Sequence, residues 1–167
     1  MNALYMVLLG GKHPRARIEV HDLVFATGAR LEDTYSQLRE QWFGDAKGLH
    51  IDSWMRVEGL EGYQVKLSNS APAADEPRLF AINLGGYTPE EFGEAHSYGL
   101  VVAKTAFEAK QKAKQQLVHN WYKPHTDAII DVDDCLAVDF VNGAHIQLVK
   151  GEHAPLHFKN DYIVIGQ

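Results

Sequence analysis

Leu4-Tyr5-Met6-Val7-Leu8-Leu9-Gly10-Gly11 returns later in the chain as Leu79-Phe80-Ala81-Ile82-Asn83-Leu84-Gly85-Gly86, in the same type and register. Further landmarks follow both stretches in one order. Pro14 matches Pro89, Glu19 matches Glu94, His21 matches His96, Leu38 matches Leu117 and Trp42 matches Trp121. His50-Ile51-Asp52 is matched with His125-Thr126-Asp127, and Gly62, Val65 and Leu67 with Gly143, Ile146 and Leu148. Chance rarely gives so many ordered matches. The chain therefore reads as a tandem duplication, with too few copies for a solenoid. Copy one is assigned to residues 1–67, a linker to 68–78, copy two to 79–150, and a C-terminal strand and tail to 151–167. The linker is small, polar and proline-bearing, as connecting segments are. In the tail, Tyr162-Ile163-Val164-Ile165 reads as a final strand, placed at a sheet edge.

Each copy begins with a near-continuous apolar run, the pattern of a strand covered on both faces. The Gly-Gly pair is expected to end that strand, because glycine tolerates unusual backbone angles. A second strand is expected near Ile18–Ala26 and again near Glu94–Ala103. The helix follows. Leu31, Tyr35, Leu38 and Trp42 share one helical face, as do Ala106, Ala109, Ala113, Leu117 and Trp121. Thr105 and Glu108 have the spacing of a capping box, and Glu32 and Asp33 suit a helix N-terminus. Trp42 and Trp121 are expected in the core. Asn142-Gly143 between two apolar runs predicts a hairpin with a type I′ turn, and Gly59 and Gly62 mark its counterpart in copy one. The fold class is α+β: two β-β-α-β-β units, with a helix across one face of a mixed sheet as in a β-grasp roll. So small a unit is marginal alone, so the two lobes are expected to pack about a pseudo-twofold axis.

The 167 residues carry a formal charge of -6, with 46% hydrophobic and 23% charged residues. Such a balance suits a packed soluble domain and argues against phosphate-backbone binding as the main task. Lys104, Lys110, Lys112 and Lys114 read as the solvated face of a helix. Cys135 has no second cysteine to pair with, so nothing points to secretion; it is read as a small buried hydrophobe. The apolar N-terminus, Met1 to Leu9, is too short for a membrane helix or a secretory leader. A cytoplasmic protein is expected, with no nucleic-acid and no membrane partner. A homo-oligomer is compatible with this composition.

Glu19 and His21 are two apart on an expected strand, so their side chains share a face. The same holds for His50 and Asp52, and copy two offers Glu94, His96, His125 and Asp127. Imidazole and carboxylate together can ligate zinc, iron or manganese, or can form an acid–base pair with aspartate orienting histidine. The plainer reading makes E-x-H a solvated strand face and H-x-D a turn or cap. Leu8-Leu9-Gly10-Gly11-Lys12 lacks the spacing of a phosphate-binding loop. No G-x-S-x-G, H-E-x-x-H or C-x-x-C motif occurs. His153 and His157 are read as exposed tail residues.

Leu-Gly-Gly after the first strand, Glu19-Val20-His21 with Glu94-Ala95-His96, the helices ending in Trp42 and Trp121, and the two H-x-D triplets together resemble a bacterial family known as domain of unknown function 1543. The resemblance covers nearly the whole chain and implies the two-copy form and a bacterial origin. It carries no reaction, cofactor or catalytic residue. Two functional classes follow from the residues. The first is a non-catalytic module binding a small molecule or a protein, supported by the duplication, the edge strand and the lack of a nucleophile motif. The alternative is a small metal-dependent or acid–base enzyme. It requires Glu19, His21, His50 and Asp52 to converge on one spot.

Overall fold

A computed structural model of the chain describes residues 1–117 and 129–167. By internal contacts the chain divides into two compact units. The first holds Met1–Ser70, Phe140–His145 and Val149–Gln167; the second holds Ala71–Asp139 and Ile146–Leu148.

In the first unit, β1 (Ala3–Gly11) is the centre of the main sheet, between β2 (Val20–Gly28) and β3 (His50–Val57). The final strand, β11 (Phe158–Val164), adds to the outer edge of β3, giving the order β11-β3-β1-β2. Its place at a sheet edge follows the sequence reading. Between β2 and β3 the chain crosses one face as a 3-10 turn (Leu31–Thr34) and helix α1 (Tyr35–Gln41). The alternation along β1 decides which side chains meet that helix. Tyr5, Val7 and Leu9 join Leu31, Leu38, Trp42, Leu49 and Ile51 in the core, whereas Leu4, Met6, Leu8 and Gly10 face the other way, because successive strand side chains alternate. The unit also holds β4 (Gly59–Leu60), β5 (Tyr63–Ser68), β9 (Phe140–Val141) and the ends of β10 (Ala144–Lys150), in a sheet ordered β4-β5-β10-β9.

The second unit repeats the plan. β6 (Arg78–Tyr87) lies between β7 (Ala95–Ala103) and β8 (Ile129–Ala137), and α2 (Ala106–Gln116) packs its Ala109 and Ala113 against Phe80, Ile82, Leu84 and Val101. Strand order and register are those of the first unit. Gly10 stands opposite both His21 and His50, and Gly85 opposite both His96 and Asp131. A bulge interrupts both third strands at one place, beside Leu8/Leu9 and beside Asn83/Leu84. The duplication is therefore a duplication of fold.

Local chemistry fixes the ends. The Thr105 hydroxyl accepts the Glu108 amide at 3.2 Å, and the Glu108 carboxylate accepts the Lys104 amide at 2.9 Å, so the expected cap forms one residue wider than a strict box. Asn142 and Gly143 have φ of 47° and 82°, as a type I′ turn requires, and Glu61 and Gly62 repeat this at 52° and 79°. No described helix is long and apolar enough to cross a membrane.

Three expectations change. The Gly-Gly pair closes β1, whose last residue is Gly11, while β6 runs one residue past its pair to Tyr87; none of the four glycines has positive φ, so unusual backbone angles are not their use. Their value lies in the missing side chain. A Cβ on Gly11 would meet the Trp42 ring at 2.8 Å, so helix α1 can seat Trp42 on the strand only there. The two main sheets are antiparallel at each described pairing, not mixed. β2 and β3 both run against the strand between them, with the helix carrying the chain from one side of β1 to the other. His153 is half-buried rather than an exposed tail residue. Its ring accepts the Gly62 amide at 3.2 Å and bonds the Ala154 carbonyl at 2.9 Å.

Candidate functional site

The two histidines of the first unit face each other across a glycine. His21 on β2 and His50 on β3 are both opposite Gly10, and cross-strand partners point to one face. That face is the one away from α1. Without a side chain on Gly10, the space above β1 stays open and the two imidazoles lean into it. An added Cβ there would lie 2.5 Å from the Asp52 Oδ2, 2.6 Å from the His50 Nε2 and 3.2 Å from the His21 ring. Glu19 precedes β2 by one residue and shares the face of His21. Asp52 is the extra residue of the β3 bulge, a device that re-aims a side chain.

The result is a closed alternation of nitrogen and oxygen. His21 Nε2 lies 3.2 Å from Glu19 Oε1 and 3.0 Å from Asp52 Oδ2. His50 Nε2 lies 3.5 Å from the same Glu19 oxygen and 3.2 Å from Asp52 Oδ1. In a tetrahedral centre with bonds near 2.0–2.1 Å, donor atoms sit about 3.3 Å apart, which these spacings match. His50 is buried, and its Nδ1 is 2.8 Å from the Gly48 carbonyl. A carbonyl only accepts, so Nδ1 carries a proton, and the ring turns its Nε2 towards the carboxylates. This is the arrangement that metal-ligating histidines take when a carbonyl orients them. Yet His50 Nε2 and Asp52 Oδ2 are buried and make no hydrogen bond. Their neighbours lie 3.0–3.5 Å away without forming a hydrogen bond to them. Buried polar atoms are rarely left so. The ring of Tyr162 covers His50, with centroids 4.3 Å apart.

Glu94 and His96 in the second unit hold the places of Glu19 and His21. The third strand supplies Asp133, the residue in its bulge, and Glu94, His96 and Asp133 form a second group of converging donors. His96 lies 3.8 Å from Glu94 Oε2 and 3.4 Å from Asp133 Oδ2. Gly85 has the role of Gly10: a Cβ on it would collide with both Asp133 and Glu94. The site is less complete. Asp131 stands where His50 does, and its carboxylate pairs with Lys114 at 2.7 Å. The hydrogen bond from that ammonium, with one from the Val132 amide, holds the Asp131 carboxyl below its usual range. The His96 ring is also 3.2 Å from the Asn83 side-chain oxygen, an apolar place in copy one.

Of the eight residues singled out in the sequence, Glu19, His50 and Asp52 offer ligand atoms all within 4.8 Å of one another, His21 pairs with Glu19 and Asp52 beside them, and Glu94 and His96 join Asp133 at the equivalent place. His125 and Asp127 lie outside the described residues. The register gives His50-Ile51-Asp52 a different counterpart from the one matched by residue type, namely Asp131-Val132-Asp133. Sequence reasoning missed Asp133 and both glycines. A signal was present. Asp52 stands nine residues before Glu61 in its turn, and Asp133 nine before Asn142. Counting back from the hairpins aligns them. Cys135 takes no part in either site. It is half-buried against the second core, and burial pushes its thiol pKa up.

Fold and site together define a duplicated α+β protein with one histidine–carboxylate cluster per unit. The chain belongs to the family described as Domain of Unknown Function (DUF1543), whose profile matches it twice, over residues 16–67 and 91–142. A crystal structure of protein Il1583 from Idiomarina loihiensis is similar over 100% of both chains, with 33% sequence identity and a TM-score of 0.77. No curated protein matches the chain.

Proposed function

We propose that the first unit is a metal-binding module in which Glu19, His21, His50 and Asp52 hold one divalent transition-metal ion. The observation that carries this is the pair of buried atoms, His50 Nε2 and Asp52 Oδ2, which are surrounded by complementary groups yet hydrogen-bond to none. A cation at their common centre satisfies both. The mixed nitrogen and oxygen donors suit zinc, iron or manganese. The half-exposed Glu19 and His21 leave the ion uncovered on the solvent side, where a further ligand would join by expansion of the shell to five donors. Glu94, His96 and Asp133 form the corresponding site of copy two. It is the poorer transition-metal site, since Asp131 with Lys114 replaces the buried imidazole.

The test is metal content. Protein stripped with a chelator, reloaded with zinc, and passed over a desalting column should retain at least one equivalent by elemental analysis. His21→Ala and Glu19→Ala remove exposed side chains and should leave the circular dichroism spectrum unchanged while weakening retention. If the stripped wild-type chain takes up no zinc, iron or manganese, the proposal fails.

A further inference from the structure

We propose that the open side of this metal site receives a small planar aromatic anion, an aryl ring bearing a carboxylate or similar chelating head, with Tyr162 as its stacking platform. The inference rests on the metal reading above and adds the class of ligand.

Three observations lead to it. The four donors are unequally covered: the His50 side chain is 2% exposed and Asp52 26%, against 47% for Glu19 and 43% for His21. A bound ion is therefore closed on the β3 side and open towards solvent. Two carboxylates already balance a divalent charge, so a singly charged head group leaves a tolerable net charge of one.

Tyr162 is placed by a break in register. β11 pairs Asn160 with Ser53 and then Ile163 with Ile51, leaving Asp161 and Tyr162 in a bulge opposite Asp52. The Asp161 carboxylate accepts the Trp54 indole N–H at 3.2 Å, which anchors that bulge. One face of the phenol ring lies on the His50 imidazole, tilted by 33°. Tyr162 nevertheless remains 70% exposed, so much of the ring is open to solvent beside the metal position.

The strand around it is apolar and uncovered. Val164 is paired with His50 and Phe158 with Met55, so both point to the face of the site, and both are exposed. Single exposed apolar residues are ordinary, but Tyr162 and Val164 stand together beside the donor cluster, with Phe158 further along the same strand. A metal to fix a charged head and an aromatic shelf to hold a ring are the usual division of labour in a small-molecule site.

The probes are benzoate and acetate, which share a head group and differ by the ring. The full chain is loaded with cobalt(II), and the visible absorption band is followed as each anion is added. Benzoate should act at a concentration roughly three- to tenfold lower than acetate, the factor expected for one aromatic pair. In Tyr162→Ala that ratio should fall to near one, and in Tyr162→Phe it should persist. Acetate is the internal reference, so weaker cobalt loading in a variant does not alter the ratio. Equal responses to the two anions in the cobalt-loaded wild type, or a benzoate preference that survives Tyr162→Ala, overturns the inference and leaves the metal reading standing. Absence of a cobalt band overturns both.

Discussion

Replacing Gly10 by alanine puts one methyl group where the four donors meet. The new Cβ would stand 2.5 Å from Asp52 Oδ2 and 2.6 Å from His50 Nε2, well inside the ~3.5–4.0 Å of a relaxed contact between carbons. Asp52 can swing outwards. His50 cannot easily follow, because its Nδ1 is bonded to the Gly48 carbonyl and Tyr162 lies on its ring. Overpacking of this kind costs about 1–3 kcal/mol. Part is offset, since alanine restricts the unfolded chain by about 0.4–1 kcal/mol at a position with ordinary φ. Stability should therefore fall only modestly. Metal affinity should fall far more, because two donors are pushed from the centre: about 100-fold, or ~2.8 kcal/mol. Calorimetric titration of zinc into stripped protein, beside a thermal melt, reads both quantities. Gly11→Ala is the matched control. Its Cβ strikes Trp42 on the opposite face, so it should lower the melting temperature and leave zinc affinity intact. Should Gly10→Ala bind zinc as tightly as the wild type, the four side chains do not share the space assigned to them.

Trp42→Ala should destabilise the protein by about 3–5 kcal/mol, the usual cost of removing a buried aromatic, since the ring is buried and its N–H reaches the Asp45 carbonyl at 3.0 Å; an unmoved denaturant midpoint would show it to be dispensable to the core. Glu61 holds φ of 52° in its turn, where asparagine is more at ease, so Glu61→Asn should raise the melting temperature slightly, and a lower one would mean that the glutamate side chain contributes more than the backbone strain removes. The half-buried thiol of Cys135, with its raised pKa, should react with a disulfide reagent more slowly at neutral pH than free cysteine, and zinc should give it no protection; protection by zinc would put the cysteine in a metal site.

The repeat made much of the fold legible. An apolar run, a helical stripe ending in tryptophan and an Asn-Gly turn each name an element, and their recurrence names the unit. Strand order was not legible, because nothing local states that β3 joins β1 on the side away from β2. The site was half legible. Glu19, His21, His50 and Asp52 could be chosen by type and by their spacing along strands, but only register puts His21 and His50 opposite the same glycine. The role of Gly10 was missed for that reason: a Gly-Gly pair at the end of an apolar run reads as the end of a strand with special backbone angles, and its use as empty space appears only when the neighbouring strands are in place. Residue type also misled in copy two, where His125-Thr126-Asp127 is the closer match in letters and Asp131-Val132-Asp133 the match in register. Tyr162 gave no signal at all, since a bulge in an edge strand leaves no pattern that sequence spacing can show.

The most direct measurement is anomalous diffraction from a crystal of the stripped protein soaked in zinc, with data collected on both sides of the zinc absorption edge. The expected result is one strong anomalous peak above Gly10, within about 2.0–2.2 Å of His21 Nε2, His50 Nε2 and at least one oxygen each of Glu19 and Asp52. A density map with no anomalous peak among these four side chains, under a soak that labels other sites, would contradict the assignment of this cluster as a metal centre.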